Sequence, residues 1–225
     1  MRIVVTLSVS LLAAVSLLCG CKATTGPVAG AGPVPPGPIS PATAEQMLAQ
    51  LPIKGRAPMT GYSRDQFGQA WTDDNSAPGG HNGCDTRDDI LRRDLTDAKP
   101  ATGCHITSGT LHDPYTGKSI VFVRGPKSTV VQIDHMVPLG DAWQTGAQQL
   151  PADRRRDLAN DPRNLQSVDG PTNEQKGDGD AATWLPPQKP YRCAYVEHQV
   201  EVKSIYGLWV TRAEHDAIDG ILHDC

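Results

Sequence analysis

The order of apolar and polar positions predicts an α+β protein. Apolar residues alternate, or follow one another in β-branched runs, in a hairpin over 107–124, a strand over 130–134 and a short strand within 160–170. Apolar residues at helical spacing predict helices in 42–51, 84–95, 140–160, 191–208 and 211–222. The helical stretch 140–160 is expected to break near Pro151, and the mostly polar residues 171–180 are interpreted as a helix or a long turn.

Local signals indicate where helices begin and which residues face inward. Thr43 is placed to cap the first helix, and Thr211 followed by Glu214 forms a capping box at the start of the last one. Phe67 and Trp71 are four residues apart and would share one face of a helical turn. Core packing is therefore expected of both rings.

The first residues have the pattern of an export signal. Residues 1–18 are a short basic start and an apolar run that is short for a bilayer, which favours a signal peptide over a membrane-spanning helix. The segment Leu18-Cys-Gly-Cys21 resembles the cleavage box of bacterial lipoproteins, in which the Cys becomes the lipidated N-terminus. We expect a signal peptide over 1–21, export from a bacterial cell and a lipid anchor on Cys21; ordinary cleavage nearby, with an extracellular product, is the alternative.

The segment after the signal has a different composition from the rest of the chain. Residues 22–41 are Gly, Pro and Ala with almost no charge, which favours an extended linker. Residues 42–225 are then expected to form a single domain, which contacts the membrane only through the lipid anchor and is monomeric.

The charge balance argues against tight, non-specific nucleic-acid binding as the main task. Removal of residues 1–21 takes away one Arg and no acid, which changes the formal net charge from −4 to −5. Proteins with that task usually show clustered Lys and Arg. Residues 118–164, however, carry seven basic and five acidic side chains, which is enough for a hydrolase that must release its products.

Four cysteines remain in the predicted domain, Cys84, Cys104, Cys193 and Cys225. An even number in an exported chain indicates disulfides, for which three connectivities exist. The pairs that are local in sequence, Cys84–Cys104 and Cys193–Cys225, are favoured. A zinc site is the alternative, but no two of these cysteines have the close spacing of a zinc knuckle.

The predicted strand over 130–134 leads into a pair of residues that could take part in catalysis. Asp134 and His135 offer a hard oxygen ligand for a divalent cation beside a group that can take a proton from water. The segments Asn164-Leu165 and Asn173-Glu-Gln-Lys176 follow on the next predicted strand and helix. With Lys176-Gly-Asp178 and Trp184-Leu-Pro-Pro187, residues 118–190 resemble the HNH endonuclease family, in its DUF1524 or GmrSD C-terminal-like branch of exported bacterial members.

The resemblance implies a ββα-metal core, also called a His-Me finger, and a set of residue roles. His135 would be the general base, and Asn164 would accept a hydrogen bond from its ring. Asp134 and Asn173 would bind one divalent cation, Mg²⁺ first and Mn²⁺ or Ca²⁺ otherwise; Asn replaces the third His of the family at position 173. Oxygen ligands favour such a cation over zinc.

Several residues keep more than one interpretation. Lys176, Arg163 and Arg87 are candidates for contacts with phosphate, although a surface arginine usually pairs with nearby acids. The run Arg154-Arg-Arg156 is either a nucleic-acid contact or a solvated helix face. Asp178 and Asp180 keep a different metal-ligand set open.

The predicted function is a secreted or surface-anchored, metal-dependent endonuclease that acts on DNA, and on RNA as a further substrate, with little sequence specificity. No base-reading module such as a helix-turn-helix is recognisable in the sequence. A non-catalytic cell-surface binding module that keeps the fold, and a hydrolase of another phosphodiester, are the alternatives.

Overall fold

The computed structural model describes residues 39–225, and the predicted signal peptide, its Cys21 and most of the linker lie outside this part. The helices in the described part are α1 (Pro41–Leu48), α2 (Thr86–Asp94), α3 (Leu139–Gln144), α4 (Ala152–Asn160), α5 (Gly170–Lys176), α6 (Arg192–Tyr206) and α7 (Arg212–His223). The strands are β1 (Leu95–Pro100), β2 (Ile106–His112), β3 (Ser119–Val123), β4 (Val131–His135) and β5 (Leu165–Asp169). No helix of residues 39–225 combines the length and the apolar character needed to cross a bilayer.

The strands form two small antiparallel sheets. One has the order β1-β2-β3, and the other pairs β4 with β5 in a register that sets Asp134 opposite Gln166 and His135 opposite Leu165. Helix α5 follows β5 directly and packs on both strands of this pair. The mixed composition with small sheets confirms the predicted α+β class. The order strand, strand, helix is also the expected one, while its metal-binding character stays a prediction.

The core consists of three apolar clusters. Helices α1, α6 and α7 share one, α3 and α4 share another with the segment before α2, and α2 shares the third with both sheets. Representative buried members are, in the same order, Leu48, Tyr195, Val200 and Ile218; Phe67, Trp143 and Leu158; and Leu91, Phe122, Val131 and Ile133. The strand pair β4–β5 therefore has helices packed around it and is held firmly.

A buried ionic cluster joins three helices. The Nζ of Lys203, in α6, lies 3.0 Å from Asp141 Oδ2 in α3 and 2.7 Å from Glu214 Oε1 in α7. Arg56 adds a guanidinium 3.0 Å from Asp141 Oδ1 and 2.6 Å from Asp180 Oδ2. These three acids are also the group in residues 39–225 whose ligand atoms lie close enough together to hold a metal ion. Because each of the three carboxylates is paired with Lys203, Arg56 or both, the cluster is an ionic link between elements.

Both predicted disulfides are confirmed. The Cα atoms are 5.5 Å apart in Cys84–Cys104 and 5.9 Å apart in Cys193–Cys225. The first disulfide links the segment just before α2 to the segment just before β2. The second links the first turn of α6 to the C-terminal residues after α7. The zinc alternative is wrong for these cysteines, since all four are in disulfides.

Three details of the sequence-based prediction are wrong. Ser40 rather than Thr43 caps the first helix, because its hydroxyl accepts the N–H of Thr43 at 3.2 Å. The second helix ends at Asp94, and Leu95 begins a strand that the helical spacing concealed. The capping box of Thr211 and Glu214 is present as predicted.

The third difference concerns the aromatic pair. A short 3₁₀ helix over Arg64–Phe67 ends at Gly68, whose φ is 81°, so Phe67 and Trp71 do not share a helical face. Phe67 is in the core as expected, whereas Trp71 is half-buried and has the left-handed backbone conformation, with φ 59°. Trp71 lies instead at the candidate site described below.

The three consecutive arginines of α4 go to different partners. Arg154 lies over the ring of Tyr206 at 4.6 Å from its centroid, and Arg155 donates to the carbonyl of Gln66 at 2.7 Å. Arg156 lies 3.7 Å from a carboxylate oxygen of Asp74. They therefore tie α4 to its surroundings and do not form one basic patch.

Candidate active site

A cleft of about 400 Å³ opens where β4, α5 and the loop before α2 meet. It is lined by residues of β4 and α5, the two elements on which the sequence predicted the metal ligands. The lining residues with polar or aromatic side chains are Arg64, Trp71, Arg87, Gln132, Asp134, His135, Asn173, Glu174 and Asp178. The structure thus places Asp134, His135, Asn173 and Arg87 around one cleft, together with Arg64 and Trp71.

His135 is the last residue of β4 and is 7% exposed. Its Nε2 lies 3.0 Å from the carbonyl oxygen of Ala159, at the end of α4. A carbonyl accepts only, so Nε2 carries the proton and Nδ1 keeps its lone pair. Within residues 39–225 no hydrogen bond reaches Nδ1, and the ring lines the cleft. This tautomer leaves a proton acceptor beside the cleft.

The surroundings of His135 keep the imidazole neutral. Burial lowers the pKa of His135 to about 3, and the positive charges of Arg64 and Lys176 act in the same direction, against the hydrogen bond to Ala159. The ring also stacks on Trp71, with centroids 5.8 Å apart and planes 12° apart. The orientation of the ring is therefore fixed by one hydrogen bond and one aromatic contact.

Asn164 does not hold the His135 ring, so the predicted hydrogen bond between them is wrong. Its Oδ1 accepts the N–H of Val137 at 2.8 Å, and its Nδ2 donates to the carbonyl of Leu158 at 3.1 Å. Fully buried, it ties the segment after β4 to the last turn of α4. Asn164 therefore acts on His135 indirectly, because the same turn supplies the carbonyl of Ala159.

Asp134 is buried and strongly bound. Lys176 Nζ lies 2.8 Å from its Oδ1 and 2.7 Å from its Oδ2, and the Tyr115 hydroxyl also donates to Oδ2. Since each carboxylate oxygen accepts two hydrogen bonds, Oδ1 keeps one acceptor position. Asp134 also lines the cleft.

Lys176 is not placed to contact a phosphate, and that prediction is wrong. Its side chain is 0% exposed, and its third donor goes to the carbonyl of His135 at 2.7 Å. Burial lowers the pKa of Lys176, while the charge of Asp134 opposes this shift. Lys176 is therefore a fixed cation beneath the strand end that holds the Asp134 side chain in position.

The oxygen atoms near the cleft suit a hard divalent cation. Asn173 donates through Nδ2 to Gln132 Oε1 at 2.9 Å, which orients its amide and leaves Oδ1 as an acceptor. Asp134 and the exposed carboxylates of Glu174 and Asp178 line the same cleft. Mg²⁺ prefers a few such oxygens and keeps several waters. The alternative set of Asp178 with Asp180 is wrong, because Asp180 is bound to Arg56 in the buried ionic cluster.

The candidate arginines divide into paired and unpaired ones. Arg163 makes two contacts with Asp161, at 2.9 Å and 2.5 Å, and Asp161 raises its pKa. The predicted phosphate contact of Arg163 is therefore wrong. Arg87 and Arg64 line the cleft and make no ion pair within residues 39–225. Arg64 was missed because it begins a short 3₁₀ helix with no periodic pattern, far from the motif in sequence.

Comparisons with known proteins show the family of the chain. The family model of the C-terminal domain of GmrSD restriction endonucleases matches residues 85–219, which is more than half of the chain. An "Uncharacterized secreted protein" of Arthroderma benhamiae is 36% identical over 218 residues, 96% of this chain and 97% of its own length. No solved structure matches the chain.

The relative bears on the predicted cellular localisation. Its name agrees with the expectation that the chain is exported. It is a fungal protein, and the bacterial origin and the lipid anchor stay predictions. The family model and the motif residues that first indicated it, Asp134, His135, Asn164 and Asn173, agree, and the chain belongs to the family of GmrSD restriction endonuclease C-terminal domains.

Proposed function

We propose that the protein is an exported, metal-dependent endonuclease of the HNH type, which hydrolyses phosphodiester bonds in DNA, and also in RNA, with little sequence specificity. The observation that carries the proposal is the state of His135. Its Nε2 is occupied by the Ala159 carbonyl at 3.0 Å, so Nδ1 is left as a proton acceptor in a cleft lined by oxygen ligands and two unpaired guanidinium groups.

His135 would act on a water molecule. The proton of the water moves to Nδ1, the water oxygen forms a bond to phosphorus, and the ester bond to the leaving oxygen breaks; that oxygen takes a proton from solvent. The carbonyl of Ala159 and the ring of Trp71 hold the imidazole still while its charge changes. A positioned base of this kind contributes roughly 10²- to 10⁴-fold to the rate.

Asp134 and Asn173 would hold the cation. When bound, a divalent ion such as Mg²⁺ neutralises the negative charge that develops on the phosphate and the leaving oxygen. Lys176 holds the Asp134 carboxylate in place, and Gln132 orients the Asn173 amide with a hydrogen bond of 2.9 Å. Arg64 and Arg87 are free to contact the phosphates of the substrate, which are not read for sequence.

The place of action follows from the chain's export pattern. Two disulfides form in the described residues, and disulfides persist in oxidising compartments outside the cytosol. We propose that the mature chain is anchored through a lipid on Cys21. Mass spectrometry of the purified protein tests this, since a lipidated Cys21 adds the mass of its acyl chains, while a chain that begins elsewhere refutes the anchor.

One assay tests the catalytic proposal. The mature protein is incubated with plasmid DNA and with single-stranded RNA, in Mg²⁺, Mn²⁺ or Ca²⁺ and in EDTA, beside the variants His135→Ala and His112→Ala. His112 is exposed on β2, where its contact is Ser119, and serves as the matched control. Cleavage should require the cation, fall by at least about 100-fold in His135→Ala and persist in His112→Ala.

Two results would contradict the proposal. Cation-dependent cleavage that survives in His135→Ala would remove His135 from the role of base. No cleavage with any of the cations would leave a non-catalytic binding module as the better description. Urea unfolding of each variant shows that a loss of activity does not come from a loss of fold.

A further inference from the structure

The cleft at His135 continues into a second one. A cleft of about 370 Å³ is lined by residues 69–73, 83–85 and Arg87, and it shares Trp71 and Arg87 with the main cleft of about 400 Å³. Both volumes lie in the range of small-molecule sites, about 300–1,000 Å³. A smaller recess of about 80 Å³ adjoins His135 and is lined by Arg64 and Trp71. Trp71 thus borders all three spaces.

Trp71 is held at this junction by its backbone. Its φ of 59° lies in the left-handed region, which a bulky residue rarely adopts and which is typical of functional sites. The carbonyl of Trp71 accepts the N–H of Thr86 at 3.1 Å, so the conformation is tied to the start of α2. The indole is half-buried: it packs against the apolar cluster of α2 and the sheets and stacks on His135, and its remaining surface borders the cleft.

Positive charge flanks this ring. Arg64 and Arg87 line the main cleft, and neither makes an ion pair in the described part, although Arg93, Arg124 and Arg163 all do. Arg87 Nη2 lies 3.4 Å from the carbonyl of Val131, which sets it beside the start of β4. Two guanidinium groups without a carboxylate partner beside an aromatic ring suit a ligand that has phosphates and a planar base.

The acidic residues of the second cleft are engaged in the fold. Asp73 accepts the backbone N–H groups of Asn82 at 3.0 Å and Gly83 at 2.9 Å. Asp85 caps α2 through the N–H of Asp88 at 2.8 Å. These donors partly offset the charge of Asp73 and Asp85, so Arg64 and Arg87 remain available to bind an anion.

We propose that Arg64, Trp71 and Arg87 form a binding site for an unpaired nucleotide next to the scissile phosphate, so that the protein prefers single-stranded to duplex nucleic acid. The inference rests on the proposed nuclease function and narrows its substrate. Bases inside a duplex are stacked on both faces and cannot lie on an indole without being pulled out. Single-stranded bases can, and stacking of one base on an aromatic ring strengthens binding by roughly 5- to 150-fold.

The test measures binding without cleavage. A short fluorescein-labelled oligodeoxynucleotide is titrated with the full mature protein in EDTA, as a single strand and as a blunt duplex, and anisotropy gives Kd at several salt concentrations. We expect the single strand to bind at least about 10-fold more tightly. Trp71→Ala should weaken the single-strand complex by roughly 5-fold or more, and Trp71→Phe should restore part of the loss because it keeps an aromatic face.

Arg64 provides an independent test, because its side chain is exposed and its truncation should leave the core intact. Arg64→Ala should lower the slope of log Kd against log salt by about 1, which corresponds to the loss of one phosphate contact. Arg212→Ala is the matched control, since Arg212 is exposed on α7 and pairs with Asp216 at 3.6 Å. It should leave both Kd and the slope unchanged.

Equal affinity of the wild-type protein for single strand and duplex would overturn the inference. So would a Trp71→Ala variant, shown to be folded by urea unfolding, that binds the single strand as the wild type does. The two proposals remain distinguishable: a protein that cleaves plasmid DNA without a single-strand preference loses only this inference, and one that binds the single strand but cleaves nothing loses only the catalytic proposal.

Discussion

The buried pair of Lys176 and Asp134 predicts a large effect of a single substitution. In Lys176→Met the apolar stem is kept, and three donor contacts at 2.7–2.8 Å are lost, two to Asp134 and one to the carbonyl of His135. Asp134 then stays buried with Tyr115 as its one remaining donor. Removing one partner of a buried ion pair costs about 3–5 kcal/mol, which is a large part of the stability of a typical domain.

A double variant distinguishes the effect of the two charges from the effect of side-chain packing. In Asp134→Asn with Lys176→Met no buried charge is left, and the amide still accepts from Tyr115. Neutral replacement of a buried pair is close to neutral in stability, so we expect the double variant to lose only about 1 kcal/mol. The double variant should therefore be about 2–4 kcal/mol more stable than Lys176→Met alone.

Urea unfolding of the disulfide-intact protein at neutral pH measures these free energies. Lys189→Met is the matched control, because Lys189 is exposed, and it should change the free energy of unfolding by no more than about 0.5 kcal/mol. The reasoning is refuted if Lys176→Met loses less than about 1 kcal/mol, or if the double variant is as unstable as Lys176→Met.

Three further predictions concern the frame around the site. Lys203→Met should lower the free energy of unfolding in urea by about 3–5 kcal/mol, because Lys203 is fully buried between two carboxylates; a loss below about 1 kcal/mol would contradict this. Loss of the Cys193–Cys225 disulfide by a double Ser substitution should lower it by about 2–5 kcal/mol, and an unchanged urea midpoint would contradict this. Gly170→Ala should destabilise by about 1–3 kcal/mol, because the added Cβ would lie 2.1 Å from a backbone oxygen, whereas Gly220→Ala, with open space in α7, should stabilise by about 0.5–1 kcal/mol; equal midpoints for the two variants would contradict this.

Most elements and the position of the site could be predicted from the sequence. The β-branched run before Asp134 and His135 gave the strand, and the turn residues around Asn164 gave the next one, because strand propensity and turn chemistry are local. The disulfide pairs were predicted from sequence proximity alone. Strand β1 was missed, since its residues follow a helix with no turn residue between them.

The partners inside the site could not be predicted in the same way. The acceptor for His135 is the backbone carbonyl of Ala159, and a backbone carbonyl leaves no mark in a sequence. Lys176 is charged, and charged residues are expected at the surface unless they are paired. Its pairing with Asp134 depends on how α5 packs on β4. Trp71 and Phe67 pack against different clusters because Gly68 ends the turn that would have carried both rings.

The long connection between the two strands of the site sets the order in which the molecule folds. Residues 136–164 separate β4 from β5, where a simple hairpin would have a tight turn. Closing this longer loop costs roughly 2 kcal/mol more chain entropy than closing a tight turn, unless the intervening helices are already compact. We therefore expect α3 and α4 to be structured before the strands pair. The contact between the Ala159 carbonyl of α4 and His135 of β4 can form only when the strand pair docks, so we expect the geometry around His135 to be completed late. The amides of β4 and β5 should then exchange with solvent sooner than those of the helical core.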